Sequence, residues 1–172
     1  MRRQYYTGVL VPATTSTRRP SGAQLNADEL GAWRGFLRVH SRLTRELDAE
    51  LAAAHGLPLS SYEVLLFLAD APDGHLRMAQ LADSVLLSPS GLTRLVDRLE
   101  KAGLVRRESC PSDRRGFEAV ITDDGRAALA EARPTHLSGV RRRFLEHFST
   151  DEMRTLSGYW DRVLQGPAVE LD

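Results

Sequence analysis

The short stretch CPSDRRG, residues 110–116, places two arginines between an aspartate and a glycine. The carboxylate of Asp113 can hold a neighbouring guanidinium by two hydrogen bonds, and Gly116 allows a tight turn. The segments on either side, GLVRRES and FEAVIT, are typical of β-strands. Arg114 and Arg115 would therefore lie near the tip of a β-hairpin, where their positive charge predicts contact with an anionic partner.

A second group of polar residues lies on the helix predicted for LSPSGLTRLVDRLEKAG, residues 87–103. Ser88 is suited to cap its N-terminus, Pro89 to occupy its first position and Gly103 to follow its last. The helical repeat places four apolar residues on one face: Leu92, Leu95, Val96 and Leu99. The opposite face receives Ser90, Arg94, Asp97 and Lys101.

The elements around these residues predict a winged helix-turn-helix. A short helix in RMAQLADSV precedes the helix of residues 87–103, and the hairpin follows it as the wing. In such a unit the second helix enters the major groove, and the wing reaches the neighbouring minor groove. The first residues of the helix are expected to contact base edges: Ser88, Ser90, Thr93 and Arg94. Arg98 and Lys101, further along the helix, are expected to contact phosphates. Arg115 or Arg114, steadied by Asp113, is expected to enter the minor groove.

The charge distribution agrees with this interpretation. The whole chain has 23 basic and 23 acidic residues and is formally neutral. Residues 88–115 contain seven basic and four acidic residues, a local excess of three positive charges. Nucleic-acid-binding surfaces have such local excesses. The alternative is that these side chains are only solvated, but their position in a capped helix and a hairpin favours DNA contact.

A long amphipathic helix is predicted from Asp28 to the residue before Gly56. Its apolar residues form one stripe that includes Leu30, Trp33 and Leu37, and a second stripe beside it, Phe36, Val39 and Leu43. A small domain seldom buries both faces of one helix. The second face is therefore expected to contact another subunit.

Capping patterns mark the starts of three further helices: Ser60 with Glu63, Thr122, and Ser149 with Glu152. The helix that begins after Thr122 is expected to run to about residue 148. The expected fold is mainly α with a small two- or three-stranded β wing, a winged helix-turn-helix with long terminal dimerisation helices. The expected division is a flexible arm (1–25), an N-terminal dimerisation helix (26–58), a DNA-binding domain (59–122) and C-terminal dimerisation helices (123–172).

The segment LSPSGLTRLVDRLEKAGLVRRESCPSDRRGFEAVITDDGRAAL, residues 87–129, resembles the MarR (multiple-antibiotic-resistance regulator) family of bacterial transcription factors. The sequence Asp113-Arg114-Arg115 after DRLEKAGLV contributes most to the resemblance, which extends more loosely over residues 28–164. It implies a homodimer joined through the terminal helices that binds double-stranded DNA at a pseudo-palindromic operator. Such proteins are usually repressors released by a small phenolic or aromatic carboxylate ligand.

The resemblance also implies where that ligand would bind. In the family the site commonly lies between the first helix, the second helix and the helix after the wing. In this chain the corresponding positions are Trp33, Arg34, Arg38, His40 and Tyr62. The alternative for Trp33, His40 and Tyr62 is a place in the core or in a subunit interface.

Other classes of function are less consistent with the sequence. We find no glycine-rich phosphate loop, nucleophile motif or clustered acid-base set, so an enzyme is not expected, and no cofactor or metal site is expected either. Cys110, the single cysteine, excludes an internal disulfide and is expected to be a small apolar filler rather than a redox sensor.

No apolar run approaches the ~18 residues of a membrane helix and no signal segment is evident, so a cytoplasmic protein is expected. The main alternative function is a winged-helix protein-interaction module. Double-stranded RNA is a weaker alternative as partner, because its narrow major groove does not admit a helix.

Overall fold

The computed structural model of this chain describes residues 24–85, 87–110 and 113–165, without the side chains of Cys110 and of residues 113–116. The predicted arm lies outside the described residues except for its last two. The described chain is mainly α-helical with one three-stranded antiparallel sheet, which confirms the expected fold class. Its described residues divide into two compact units, Phe36–Glu146 and a terminal unit made of residues 24–35 and 147–165.

The order of the elements matches the expected winged helix-turn-helix with long terminal helices. In chain order they are α1 (Ala27–His55), α2 (Leu59–Asp70), β1 (His75–Arg77), α3 (Met78–Ser84), α4 (Pro89–Lys101), β2 (Val105–Cys110), β3 (Asp113–Ile121), α5 (Asp123–Arg143) and α6 (Thr150–Gln165), with 3-10 turns at Pro72–Gly74 and Leu145–His147. None of the described helices is by itself long and apolar enough to cross a membrane. Only the bent pair α1 and α2, taken together, reaches the required length and composition.

The core of the unit Phe36–Glu146 is built around α2, which is apolar on nearly every side. Six of its twelve residues are buried, and it packs against α5, β3, α3 and α4. The C-terminal half of α1 adds Leu47 and Leu51, α4 adds its leucine face, and β3 adds Ala119 and Ile121. Helix α4 is therefore anchored in a core that draws on most of the unit.

The sheet has the strand order β1-β3-β2, and its strands are antiparallel. Strand β1 consists of three residues, too few for an alternating pattern to appear in sequence. The pairing of β2 with β3 runs regularly from Val105 opposite Ile121 to Ser109 opposite Phe117, and then shifts so that Cys110 faces Asp113. The shift leaves residues 114–116 of β3 as a bulge in the ladder.

A tight junction joins the end of α4 to the start of α5. Gly103 ends α4 with a φ of 75°, a left-handed conformation that favours glycine. The Thr122 hydroxyl donates to the Gly103 carbonyl (2.7 Å) and accepts from the Gly125 N–H (3.0 Å), which confirms Thr122 as the cap of α5. A Cβ atom on Gly125 would collide with the carbonyl oxygen of Leu104, so the two segments approach as closely as the backbone allows.

Helices α1 and α5 of the unit Phe36–Glu146 are also joined by ion pairs. Arg143 donates to Glu46 and to Glu50, the latter at 2.5 Å, and Arg142 donates to Glu50 at 2.6 Å. The hydrogen bond from Arg143 holds the pKa of Glu50 below its ordinary value, and Arg42 does the same for the pKa of Glu46. These carboxylates are consequently charged wherever the protein is near neutral pH.

The terminal unit contains the first residues of α1 and all of α6. Ser149 and Glu152 form the predicted capping box of α6: the Ser149 backbone N–H donates to the Glu152 carboxylate at 2.8 Å, and the Glu152 N–H donates to the Ser149 hydroxyl at 3.3 Å. Asn26 and Glu29 form a similar pair at the start of α1. No residue of α6 is buried within this chain, although the helix has a continuous apolar face.

Two predicted helix boundaries are wrong. Helix α5 ends at Arg143 and is followed by a 3-10 turn, so it does not continue to about Phe148. The capping box of Ser60 with Glu63 does not form, because α2 already begins at Leu59. The cap comes from α1 instead: the side chain of Asp48 accepts the Leu59 backbone N–H at 2.8 Å.

The cap on α2 predicts a difference between two alanine variants. Asp48→Ala should lower the free energy of unfolding by about 1 kcal/mol, since a helix N-terminus loses its side-chain acceptor. Asp48→Asn, which keeps an oxygen at this position, should retain most of the stability. Ser60→Ala should change it by less than about 0.5 kcal/mol. Urea unfolding at one fixed protein concentration measures all three. A larger loss for Ser60→Ala than for Asp48→Ala would contradict the assignment.

Candidate nucleic-acid interface

Helix α4 is fixed in place by its apolar face and by its N-terminal cap. Leu92, Leu95, Val96 and Leu99 are all buried, as their spacing predicts. The Ser88 hydroxyl accepts the Gly91 N–H at 3.2 Å, and Pro89 occupies the first helical position. The predicted start and end of this helix are thus confirmed. Helix α3 packs against α4 and precedes it closely in sequence, which completes the helix-turn-helix.

The side chains predicted to contact DNA lie on the exposed part of α4. All six are exposed: Ser88, Ser90, Thr93, Arg94, Arg98 and Lys101. All three hydroxyls are engaged locally, because Thr93 donates to the Pro89 carbonyl at 2.8 Å and the Ser88 and Ser90 hydroxyls lie 3.3 Å apart. Within the described residues, the three cationic side chains of this face form no ion pair. Their charge is therefore available to an anionic partner.

Arg107 of β2 contacts the side of α4 that lies between its buried and its exposed faces. Its guanidinium Nη1 lies 2.5 Å from Asp97 Oδ1 and 3.1 Å from Glu100 Oε2. Its Nη2 donates to the Thr93 carbonyl at 3.1 Å, and its backbone N–H donates to Glu100 Oε1 at 3.0 Å. Only 23% of the side chain is exposed. Asp97, expected on the outward face with Arg94 and Lys101, is held at the side of the helix by this arginine.

These pairs change the interpretation of the local charge excess. Arg107 is balanced by the two acidic residues of α4, and Arg106 pairs with Glu108 of its own strand at 2.7 Å. Among the described side chains of this region, the excess therefore falls on the exposed face of α4. Sequence counting located the region of positive charge, but it did not distinguish paired arginines from available ones.

The wing residues are placed only by their backbone. Asp113, Arg114 and Arg115 belong to β3, and the last two lie in the bulge at the start of this strand. Their side chains lie outside the described residues, and so does that of Cys110. The predicted contacts of these four residues accordingly stay predictions.

The residues predicted to surround a ligand lie in different environments. Tyr62 is 2% exposed and belongs to the core, with its ring centroid 4.5 Å from that of His136 on α5. Arg38 and His40 are exposed on α1, in the same unit. Trp33 belongs to the terminal unit and is exposed there, as is Arg34.

His136 is a residue near this predicted site that the sequence did not reveal. Its Nδ1 is buried and has no hydrogen-bond partner among the residues described. Burial lowers the pKa of His136 and raises the pKa of Tyr62. Burial also raises the pKa of Glu63, and the nearby His40 opposes this shift only in part. His136 is thus neutral near pH 7. No spacing rule links residues 62 and 136, since they meet only when α2 packs on α5.

Known proteins with similar sequences and structures identify the family of this chain. A model of the MarR family matches residues 55–116, which include α2, α4 and β2. The structure of AbsC, a MarR family transcriptional regulator from Streptomyces coelicolor, is similar over 83% of this chain and 96% of its own, with 34% sequence identity and a TM-score of 0.77. The chain belongs to the MarR family.

Two other relatives are informative within this family. The structure of Sco3205, a MarR family transcriptional regulator from Streptomyces coelicolor, was determined in complex with DNA. It is 34% identical to this chain, with a TM-score of 0.79 over 87% of this chain and 96% of its own. The transcriptional repressor YetL of Bacillus subtilis is 25% identical over 130 residues, which are 76% of this chain and 77% of the relative. The resemblance stated from residues 87–129 is confirmed.

Proposed function

We propose that this MarR family protein is a cytoplasmic transcriptional regulator that binds double-stranded DNA sequence-specifically. The observation that carries the proposal is the exposed face of α4, on which three cations form no ion pair among the described residues while the opposite face is buried in the core. A helix presented in this way fits the major groove of B-DNA. The DNA complex of its relative Sco3205 supports the same assignment.

Each residue of the interface has a role that follows from its position. Ser88, Ser90, Thr93 and Arg94 lie in the first turns of α4 and would approach base edges, where arginine can bind guanine by two hydrogen bonds. Arg98 and Lys101 lie near the end of the helix and would contact phosphates. The wing would bring Arg114 or Arg115 to the minor groove, with Asp113 steadying one of them.

The protein acts, in this proposal, as a homodimer on a pseudo-palindromic operator. Support comes from the terminal unit, where large apolar side chains are exposed on both helices: Trp33, Tyr159, Trp160, Val163 and Leu164. An amphipathic helix with no buried residue is stabilised when its apolar face packs on a partner. The dimerisation segments would be residues 26–58 and 123–172, on either side of a DNA-binding domain of residues 59–122.

The regulator is further proposed to be a repressor released by a small aromatic acid. YetL, a repressor, supports the direction of regulation. An aromatic ligand is supported by the half-buried His136, whose ring is tilted by 33° against that of the buried Tyr62 at a centroid distance of 4.5 Å, and whose Nδ1 has no hydrogen-bond partner among the described residues. Arg38 and His40, exposed on α1 in the same unit, would attract a carboxylate, whereas a role for Trp33 stays a prediction from the sequence.

Fluorescence anisotropy tests the proposal as a whole. The purified protein is titrated against the palindromic DNA beside its own gene and against random duplex of equal length, at several salt concentrations. We expect a preference for the palindrome and a log-log salt slope of roughly −0.9 for each phosphate contact. One of a panel of phenolic acids should weaken the binding. Absence of binding to either duplex would favour a protein-interaction module instead.

Two arginine variants separate base recognition from groove contact. Arg94→Ala should relax the preference at one base-pair position by roughly 1 to 3 kcal/mol, because one bidentate base contact is lost. Arg115→Ala should instead weaken binding to all duplexes similarly, or reduce preference for A·T-rich flanks. Competition with a series of singly substituted operators measures both. Equal loss at every operator position for Arg94→Ala would contradict base recognition by this residue.

A charge placed on α6 tests the dimer. Val163→Glu should raise the dimer dissociation constant by more than about tenfold, since the buried carboxylate would be desolvated at the interface. Gln165→Glu introduces the same charge about 160° around α6 from Val163, at another exposed position, and should leave the dimer intact. Sedimentation velocity over a range of concentrations distinguishes the two. Equal effects of both variants, or a wild-type monomer, would exclude this interface.

A further inference from the structure

Arg107 makes more contacts with α4 than a single surface ion pair would provide. From one residue of β2, it binds a backbone carbonyl and two carboxylates of the helix, at Thr93, Asp97 and Glu100. These positions are spaced by four and three residues, so they form one row along the helix. The arginine thus contacts two turns of α4 through both its guanidinium and its own backbone.

This row divides the surface of α4 into three faces. The leucine face is buried, the row bound by Arg107 lies beside it, and the remaining face has the exposed cations Arg94, Arg98 and Lys101. Apolar packing tolerates small rotations of a helix about its axis, because it is not directional. A planar guanidinium that binds three acceptors on the helix restricts such a rotation, because its N–H donors have fixed directions.

We propose that Arg107 is a positioning residue for DNA recognition: by binding Thr93, Asp97 and Glu100 it fixes the rotation of α4 relative to the wing and so determines which bases the helix reads. This inference rests on the proposed function. A rotation of α4 by about 20° would move a side-chain tip ~6 Å from the axis by roughly 2 Å, enough to break a hydrogen bond to a base.

Arg107 has a second, separable effect on DNA binding through its charge. Asp97 and Glu100 lie beside the face that would approach the DNA, where two unbalanced carboxylates would repel phosphates. The guanidinium neutralises them without occupying the exposed face. Lysine at position 107 would keep the charge, but its single ammonium cannot reproduce the fork of hydrogen bonds to three acceptors.

The experiment compares affinity for two duplexes across a set of variants. The first duplex contains the operator that the wild-type protein selects from a random pool, and the second has the same composition in shuffled order. The variants are Arg107→Ala, Arg107→Lys, the double variant Asp97→Asn with Glu100→Gln, and the triple variant that adds Arg107→Ala to it. Arg106→Ala, on the same strand and paired with Glu108, is the matched control. Circular dichroism melting establishes that each variant is folded, and Arg107→Lys remains the test should Arg107→Ala not fold.

We expect Arg107→Lys to lower the ratio of operator to shuffled affinity by about tenfold or more, within the range of specific recognition, while affinity for the shuffled duplex and the salt slope stay unchanged. Arg107→Ala should lower the ratio and also weaken binding to the shuffled duplex. The triple variant should recover the shuffled affinity without recovering the ratio. Arg106→Ala should preserve the ratio.

Two results would overturn the inference. An unchanged ratio in both Arg107 variants would exclude a positioning role. Equal loss on both duplexes, with a salt slope reduced by about 0.9, would make Arg107 a direct phosphate contact. A wild-type protein that selects no operator would instead refute the proposed function, and the inference with it, so the two failures are distinguishable.

Discussion

The burial of one face of α4 determines which of its side chains a partner can reach. Four apolar residues, each contributing roughly 1.5 to 3 kcal/mol when fully buried, hold this helix against α2, α3 and the sheet. Because the helical repeat is fixed, burial of Leu92 and Leu99 places Arg94, Arg98 and Lys101 outward. The caps at Ser88 and Gly103 fix where this helix begins and ends.

Electrostatics completes what apolar packing begins. The exposed cations of α4 have an acidic neighbour in sequence, and in an isolated helix Asp97 would pair with Arg94 or Lys101, three and four positions away. In the folded protein Arg107 occupies the carboxylates of Asp97 and Glu100 from outside the helix. The arrangement keeps the positive charge of α4 on one face, which is a consequence of tertiary structure and not of composition.

The parts of the fold that sequence could predict are those determined by neighbouring residues. Ser88, Pro89 and Gly103 predict both ends of α4 correctly, and Thr122 and Ser149 predict the starts of α5 and α6, because caps act over three or four residues. The cap of α2 was missed because Asp48 lies eleven residues from Leu59, on another helix. Arg107 and His136 were missed for the same reason: their partners become neighbours only when helices and strands pack. The wing arginines and the ligand site stay predictions.

The close contact between Leu104 and Gly125 couples the tilt of α5 to the end of α4. Its first turn lies against the backbone that ends α4, and its last turn is tied through Arg142 and Arg143 to α1. Its 21 residues span about 30 Å, so a displacement of ~3 Å at the Arg143 end corresponds to a tilt of only about 5° at the junction. A displacement at the Arg143 end is thereby reduced to a small change of angle beside α4, so a small adjustment of α4 corresponds to a larger movement about 30 Å away.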